Sequence, residues 1–148
     1  SLPHWYLLGA GNMGTLAAWY LTRAGHTVSI VTDNPQPPLH KQLFFADQSV
    51  SLTLSCASPE QLPATITHLL VASKTPYTEA ALRRVKGHLS DKTLVLRFQN
   101  GMGALDGRLP AGTAVLEAIT TSAVKGQSPQ HTIVAENTTW LGGTQQPP

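Results

Sequence analysis

The chain has 148 residues, a formal net charge of +2 and 12% charged residues, about half the typical share of roughly 25%. Apolar residues make up 41%, which is enough for a hydrophobic core and argues against disorder. Since the few charges form no basic face and no apolar run reaches the roughly 18 residues of a transmembrane helix, we expect one globular domain that binds neither nucleic acid nor a membrane.

The first 32 residues predict a strand, a glycine-rich loop, a helix and a second strand. The apolar run His4–Leu8 predicts a buried strand and ends on the glycine sequence GAGNMG. From Met13 to Ala24 the apolar residues recur on one helical face, and Gly25 follows as the expected C-terminal cap. Thr27–Thr32 predicts the second strand, which completes a unit of βαβ size.

The middle of the chain predicts a hairpin and a further buried strand. Three prolines make Asp33–Pro38 a loop. Leu43–Phe45 and Val50–Cys56 predict two strands joined as a hairpin, and Leu62–Thr67 has no clear pattern. Cys56, the single cysteine, excludes an internal disulfide and is expected to be a small core residue. His68–Ala72 predicts another buried strand.

The second half predicts one more helix and several strands. Thr75 as N-cap and Pro76 at the first helical position open a helix whose apolar stripe runs from Tyr77 to Leu89. The remaining predicted elements are a strand, a loop leading into a helical turn, and three more strands: Thr93–Phe98, Gln99–Gly103, Thr113–Thr120, His131–Ala135 and Thr138–Leu141. This order predicts an α/β fold with an open, mostly parallel sheet, and added strands at one of its edges at the C-terminal end.

The GAGNMG sequence has the GxGxxG spacing of a dinucleotide-binding loop. Gly9 allows the tight turn, Gly11 lets the backbone approach a pyrophosphate, and Gly14 lets the helix pack closely on the sheet. Ala10, Asn12 and Met13 complete the predicted cofactor-binding loop, whose free N–H groups at the helix N-terminus attract phosphate. Because the motif follows a strand and opens a patterned helix, we expect a Rossmann-type, doubly wound nucleotide-binding domain.

Asp33 bears on the choice of cofactor. It lies about 20 positions after the glycine motif, where an acidic side chain accepts the ribose 2′-OH of NAD and repels a 2′-phosphate. The same residue is equally suited to capping the turn into Asn34 and Pro35. Both interpretations stay open at this point.

Three more candidate residues follow predicted strands, on the side where ligands bind in open α/β sheets. Lys74 could bind an anionic group or a carbonyl oxygen, Asn100 could bind a ribose or a substrate, and Thr120 should lie near both. The alternatives are a solvated lysine and a turn asparagine. The six histidines are spread singly and are expected at the surface or at strand ends, and no spacing typical of a metal site, a serine hydrolase or a P-loop occurs.

Five segments, taken in order, resemble the N-terminal domain of ketopantoate reductases (2-dehydropantoate 2-reductases). They are LLGAGNMG, AGHTVSIVT, LLVASKTPYT, FQNGMG and AITTSA, within a resemblance that extends from Trp5 to Gly143. This family reduces 2-dehydropantoate to pantoate with NADPH, on the route to pantothenate and coenzyme A. The resemblance implies that the glycine loop binds the cofactor diphosphate and that Lys74 and Asn100 face cofactor and substrate, with catalytic as well as binding roles.

The resemblance also implies a second domain. Residues 1–148 would form the NAD(P)-binding domain, and the lysine that acts as general acid would lie in a C-terminal helical domain beyond Pro148, after a proline-rich domain boundary. The expected partners are a 2-keto acid substrate and a second copy of the full-length protein. With no signal peptide expected, the predicted location is the cytoplasm.

One departure from the family affects the cofactor prediction. The family usually has an arginine at the end of the second strand to hold the 2′-phosphate, whereas this chain has Asp33. NADP(H) is expected from the resemblance, while Asp33 leaves NAD(H) open. The alternatives are a non-catalytic nicotinamide-nucleotide sensor, an NAD-dependent 2-keto acid dehydrogenase, or a dehydrogenase for another substrate such as a sugar or glycerol phosphate.

Overall fold

The computed structural model describes residues 2–72, 75–99, 109–110, 112–120, 123–136 and 138–145. In these ranges the helices and strands are β1 (His4–Leu8), α1 (Asn12–Arg23), β2 (Thr27–Val31), β3 (Leu39–Phe44), β4 (Ser49–Ala57), β5 (His68–Val71), α2 (Thr75–Val85), β6 (Leu94–Gln99), β7 (Ala114–Thr120), β8 (Ala123–Lys125), β9 (Gln130–Ala135) and β10 (Thr138–Gln145). Two short 3-10 helices cover Pro59–Gln61 and Lys86–His88. None of the helices described is long and apolar enough to span a bilayer.

The strands form one ten-stranded sheet in the order β10-β7-β6-β5-β1-β2-β4-β3-β9-β8. Its centre, from β7 to β4, is parallel throughout. The chain runs from β1 to β2 and β4 on one side, then crosses to β5 on the other side of β1. This change of side in the strand order is typical of a doubly wound sheet, so the predicted fold class is confirmed.

The two helices cover opposite faces of the sheet. Leu16 of α1 and Leu7 of β1 are fully buried in the same hydrophobic cluster. Val85 of α2 and Leu8 of β1 belong to the cluster on the other face. Adjacent residues of β1 therefore enter different cores, as the alternation of side chains along a strand requires. A strand buried on both faces has little room for charged residues, which fits the low charge content of the chain.

The C-terminal strands correct one prediction. They were expected at a single edge of the sheet, but β10 pairs with β7 at one edge, while β9 pairs with β3 at the other. The β3–β4 hairpin explains this difference, because its antiparallel pairing leaves the far side of β3 free for a parallel partner. The short strand β8, paired with β9, was not predicted.

Element boundaries differ from the predictions in two informative places. The predicted hairpin is confirmed, but its first strand begins at Leu39 rather than Leu43. Helix α2 begins at Thr75, so Thr75 is a helical residue and not the N-cap. Pro76 then lies in the first turn, where backbone N–H groups have no acceptor within the helix, so a residue without an N–H costs no helical hydrogen bond. Cys56 is half-buried and packs at the margin of the larger core. The predicted loop after Gln99 lies outside the described residues, apart from Gln99 itself.

The start of α1 packs directly on the end of β1. A Cβ added to Gly14 would lie 1.8 Å from the carbonyl oxygen of Gly9, so no side chain fits at this position. Gly9 has φ of 91°, in the left-handed region that favours glycine, and Gly25 at the end of α1 has φ of 99°. The loop is thus shaped by backbone contact, which places the helix N-terminus beside the end of the strand.

We predict that Gly14→Ala lowers the free energy of unfolding by about 3 kcal/mol or more, because the added methyl group overlaps rigid backbone. Gly87→Ala is the matched control, since a Cβ at Gly87 meets nothing within 4 Å. Urea denaturation of both variants makes the comparison. Equal stabilities of the two variants would show that α1 does not depend on this close approach.

Candidate active site

A cleft of about 640 Å³ lies at the carboxyl ends of the central strands. Its walls include Leu8 at the end of β1, Val31 at the end of β2 and Ala72 just after β5, with the glycine loop as its floor. Strands are added on one side of β1 up to β4 and on the other side from β5 onwards. The cleft therefore lies at the topological switch point between β1 and β5, where open α/β sheets bind ligands.

The floor of the cleft is suited to an anion. Gly11 is the N-cap of α1 and makes no side-chain capping hydrogen bond. The first turn of α1 has no acidic residue, and the first helical N–H groups have no partner within the helix. The helix dipole adds a partial positive charge at the same end. Phosphate oxygens placed here would accept hydrogen bonds from the loop backbone.

The space in front of Gly11 is open. A Cβ at Gly11 would meet no protein atom within 4 Å, in contrast to Gly14 in the same loop. Gly11 also lines the cleft. Packing within the protein therefore does not demand a glycine here, whereas close approach by a pyrophosphate does. The residues present fit the cofactor that the motif predicts.

Arg84, which lines the cleft, forms an ion pair with Asp33. Asp33 follows β2, and its Oδ1 lies 2.5 Å from Nε of Arg84 on α2. Both side chains are substantially exposed, 62% for Asp33 and 40% for Arg84. Exposed pairs of this kind contribute about 0–1 kcal/mol. Arg84 also lines the cleft, so a guanidinium stands beside the acidic residue that the sequence singled out.

A buried polar network lies directly behind the glycine loop. Lys41 of β3 is 3% exposed and His131 of β9 is 1% exposed. The Lys41 Nζ donates to the carbonyl oxygen of Ala10 at 2.8 Å, to Ser128 Oγ at 3.0 Å and to His131 Nε2 at 3.2 Å. With His131 Nε2 as an acceptor, these three contacts match the three N–H donors of an ammonium group, so the surroundings of Nζ suit a charged lysine.

The hydrogen bonds fix the tautomer of His131. Asn12 Nδ2 donates to the carbonyl oxygen of Gly126 at 3.1 Å, so Asn12 Oδ1 faces His131 Nδ1 at 2.7 Å and accepts a hydrogen bond from its N–H. His131 Nε2 is then the acceptor for Lys41. Burial, with the nearby Lys41 charge, lowers the pKa of His131 to about 4. Burial also lowers the pKa of Lys41. His131 is therefore neutral at neutral pH.

The structure describes only one of the three site residues that were predicted to follow strands. Lys74 and Asn100 lie outside the described residues, and the backbone of Thr120 closes β7. The expected convergence of these three thus stays a prediction. His131 lies next to the start of β9, in line with the expected strand-end position, but its side chain is buried and not at the surface.

Lys41 and Arg84 were not predicted as site residues from the sequence. Lys41 alternates with Leu39 and Leu43, a pattern that puts all three on one face of a strand and could have indicated burial once the strand was extended to Leu39. Arg84 lies on a helix whose neighbours along the chain say nothing about Asp33. Only the fold brings these two together.

The family model described as ketopantoate reductase PanE/ApbA matches residues 5–146. The chain belongs to the ketopantoate reductase family. A 2-dehydropantoate 2-reductase from Vibrio cholerae is 34% identical over 103 residues, which cover 68% of this chain and 32% of that protein. The chain therefore spans well under half the length of this curated relative.

Solved structures show the same fold. A PanE/ApbA family ketopantoate reductase from Ralstonia eutropha superposes with a TM-score of 0.70 at 23% identity, covering 89% of this chain and 46% of the other. A D-mandelate dehydrogenase, in a ternary structure with NADH and anilino(oxo)acetate, gives a TM-score of 0.67 at 18% identity and covers 89% of this chain and 45% of its own. At these identities the likeness concerns the fold alone.

We predict an acid-sensitive stability that originates at His131. Its pKa is about 4 in the folded protein, against 6.5 for a free histidine, so protonation favours the unfolded chain as the pH falls through this window. The loss amounts to about 3 kcal/mol between pH 7 and pH 4.

The measurement is the free energy of unfolding from pH 7 to pH 4, for the wild type and for His131→Gln. Other titrating groups contribute to both proteins, so the difference between the two slopes isolates His131. Lys41 is the charged group that faces it, and Asn12 and Thr15 are its polar neighbours. Parallel pH profiles would show that His131 is not buried in its neutral form.

Proposed function

We propose that this chain is the NADP(H)-binding domain of a 2-dehydropantoate 2-reductase, an oxidoreductase that converts the keto group of 2-dehydropantoate to the hydroxyl of pantoate. The observation that carries the proposal is the glycine loop. Gly11 opens into the cleft while Gly14 is packed against backbone, so the two glycines meet the two separate demands of a pyrophosphate-binding turn. Membership of the family supplies the reaction and the substrate class.

The residues of this chain would hold the cofactor through its pyrophosphate and through apolar contacts. The first N–H groups of α1 would bind the pyrophosphate, and the apolar strand ends Ile30 and Leu8 would line the cleft around it. A bound reduced nicotinamide supplies the hydride for the keto carbon. Lys74 and Asn100 stay proposed binding and catalytic residues on the strength of the resemblance. The general acid, a C-terminal helical domain and a dimeric assembly are predictions for the full-length protein.

Arg84 supports NADP(H) over NAD(H). A 2′-phosphate carries up to two negative charges and is commonly accommodated by an arginine near the end of the second strand. In this chain Asp33 occupies the strand end, but Arg84 reaches the same place from α2. Because the ion pair is exposed and weak, Asp33 can turn towards solvent and leave the guanidinium to the phosphate.

We predict that the protein binds NADPH and that Gly11→Ala weakens the binding at least about 100-fold, because the new methyl group fills the space needed by the pyrophosphate. The stability of the variant should stay within about 1 kcal/mol of the wild type, since the methyl group meets no protein atom. Fluorescence titration measures the first and thermal denaturation the second. Absence of wild-type binding to either NADPH or NADH at millimolar concentration would refute the proposed function.

We predict that Arg84→Gln raises the Kd for NADPH about tenfold and changes the Kd for NADH by less than about twofold, because only NADPH carries the 2′-phosphate. Arg83→Gln is the matched control, an exposed arginine one position away that does not line the cleft. Parallel titrations of both variants with both nucleotides give the ratio. If Arg84→Gln weakened both nucleotides equally, Arg84 would not be the phosphate contact.

A further inference from the structure

Two side chains donate hydrogen bonds to the carbonyl oxygen of Ala10. It accepts hydrogen bonds from Lys41 Nζ at 2.8 Å and from Thr15 Oγ1 at 3.3 Å. Two donors occupy both lone pairs of the oxygen. One donor comes from α1 and the other from the distant strand β3, so the orientation of this carbonyl depends on two parts of the fold.

Fixing this carbonyl also fixes the next N–H group. In a trans peptide the C=O and the following N–H point in opposite directions within one plane. With the Ala10 oxygen held towards Lys41, the Gly11 N–H must point away from Lys41. Gly11 lines the cleft, so this N–H belongs to the set that an anion in the cleft would use.

A buried lysine at this contact carries a desolvation penalty. Removing an ammonium group from water costs several kcal/mol unless partners replace the lost hydration. Three acceptors do so here, and neutral His131 adds no second charge. A neutral donor would satisfy the Ala10 oxygen at a lower cost. What a neutral donor would not provide is a positive charge behind the loop, where a low local dielectric strengthens its attraction for an anion in the cleft.

We propose that Lys41 is a positioning residue of the cofactor site, which orients the Ala10–Gly11 peptide and adds a buried positive charge behind the pyrophosphate-binding loop. Thr15 completes the grip on the carbonyl, and His131 holds Lys41 in place while its other nitrogen binds Asn12. The inference rests on the proposed function and extends it to the edge strands, since β3 and β9 provide residues that act on the cofactor through the loop.

The test compares two ligands that differ in whether they reach the loop. NADPH contains the pyrophosphate, whereas adenosine 2′-monophosphate has only the 2′-phosphate that Arg84 would bind. We expect Lys41→Met to raise the Kd for NADPH at least about tenfold and to leave the Kd for adenosine 2′-monophosphate within about twofold. Lys92→Met, which alters an exposed turn lysine, should change neither value.

Three outcomes would overturn the inference. An unchanged Kd for NADPH in folded Lys41→Met would show that the lysine does not act on the loop. An equal rise for both ligands would show a general structural role. Failure of the wild type to bind NADPH would refute the proposed function and this inference together, which separates it from the first two results.

A second variant keeps the test decisive if Lys41→Met does not fold. Thr15→Val preserves the shape of a fully buried side chain and removes one of the two donors to the Ala10 oxygen. We expect the Kd for NADPH to rise about threefold or more, with no change for adenosine 2′-monophosphate. An unchanged Kd for NADPH in folded Thr15→Val would contradict the claim that this carbonyl must be held.

Discussion

The close approach of α1 to the end of β1 is the constraint on which the site depends. Gly14 lies against the Gly9 carbonyl with no room for a side chain, and this contact sets the direction in which the helix leaves the sheet. The helix N-terminus then stands at the floor of the cleft. Its first N–H groups have no partner within the helix and no capping side chain, and the helix dipole adds a partial positive charge at the same end.

The edge strands serve the same loop from the opposite side. Pairing of β3 with β9 brings Lys41 and His131 together, although they are far apart in the chain. A chain with few charged residues thus buries one of them behind its glycine loop, with every donor of the ammonium satisfied. The edge strand β3 therefore contacts the glycine loop directly, through the hydrogen bond from Lys41 to the backbone of Ala10.

Much of the fold could be predicted from local patterns. The glycine spacing, the helical stripe after Met13 and the alternation in Val50–Cys56 depend on neighbours in sequence, and the corresponding elements are present. Pairing between distant strands leaves no such local signal, so the two-edge placement of the C-terminal strands was missed. The burial of His131 and the contact between Arg84 and Asp33 were missed for the same reason, as both arise only when the sheet is assembled.

We propose that this cleft holds NADP(H) with its pyrophosphate on the glycine loop. The most direct test is a crystal structure of the protein with NADPH. We expect pyrophosphate oxygens within hydrogen-bonding distance of the backbone N–H groups of residues 11–13 and the 2′-phosphate beside Arg84. Binding of the dinucleotide elsewhere, or with its pyrophosphate away from the start of α1, would contradict it.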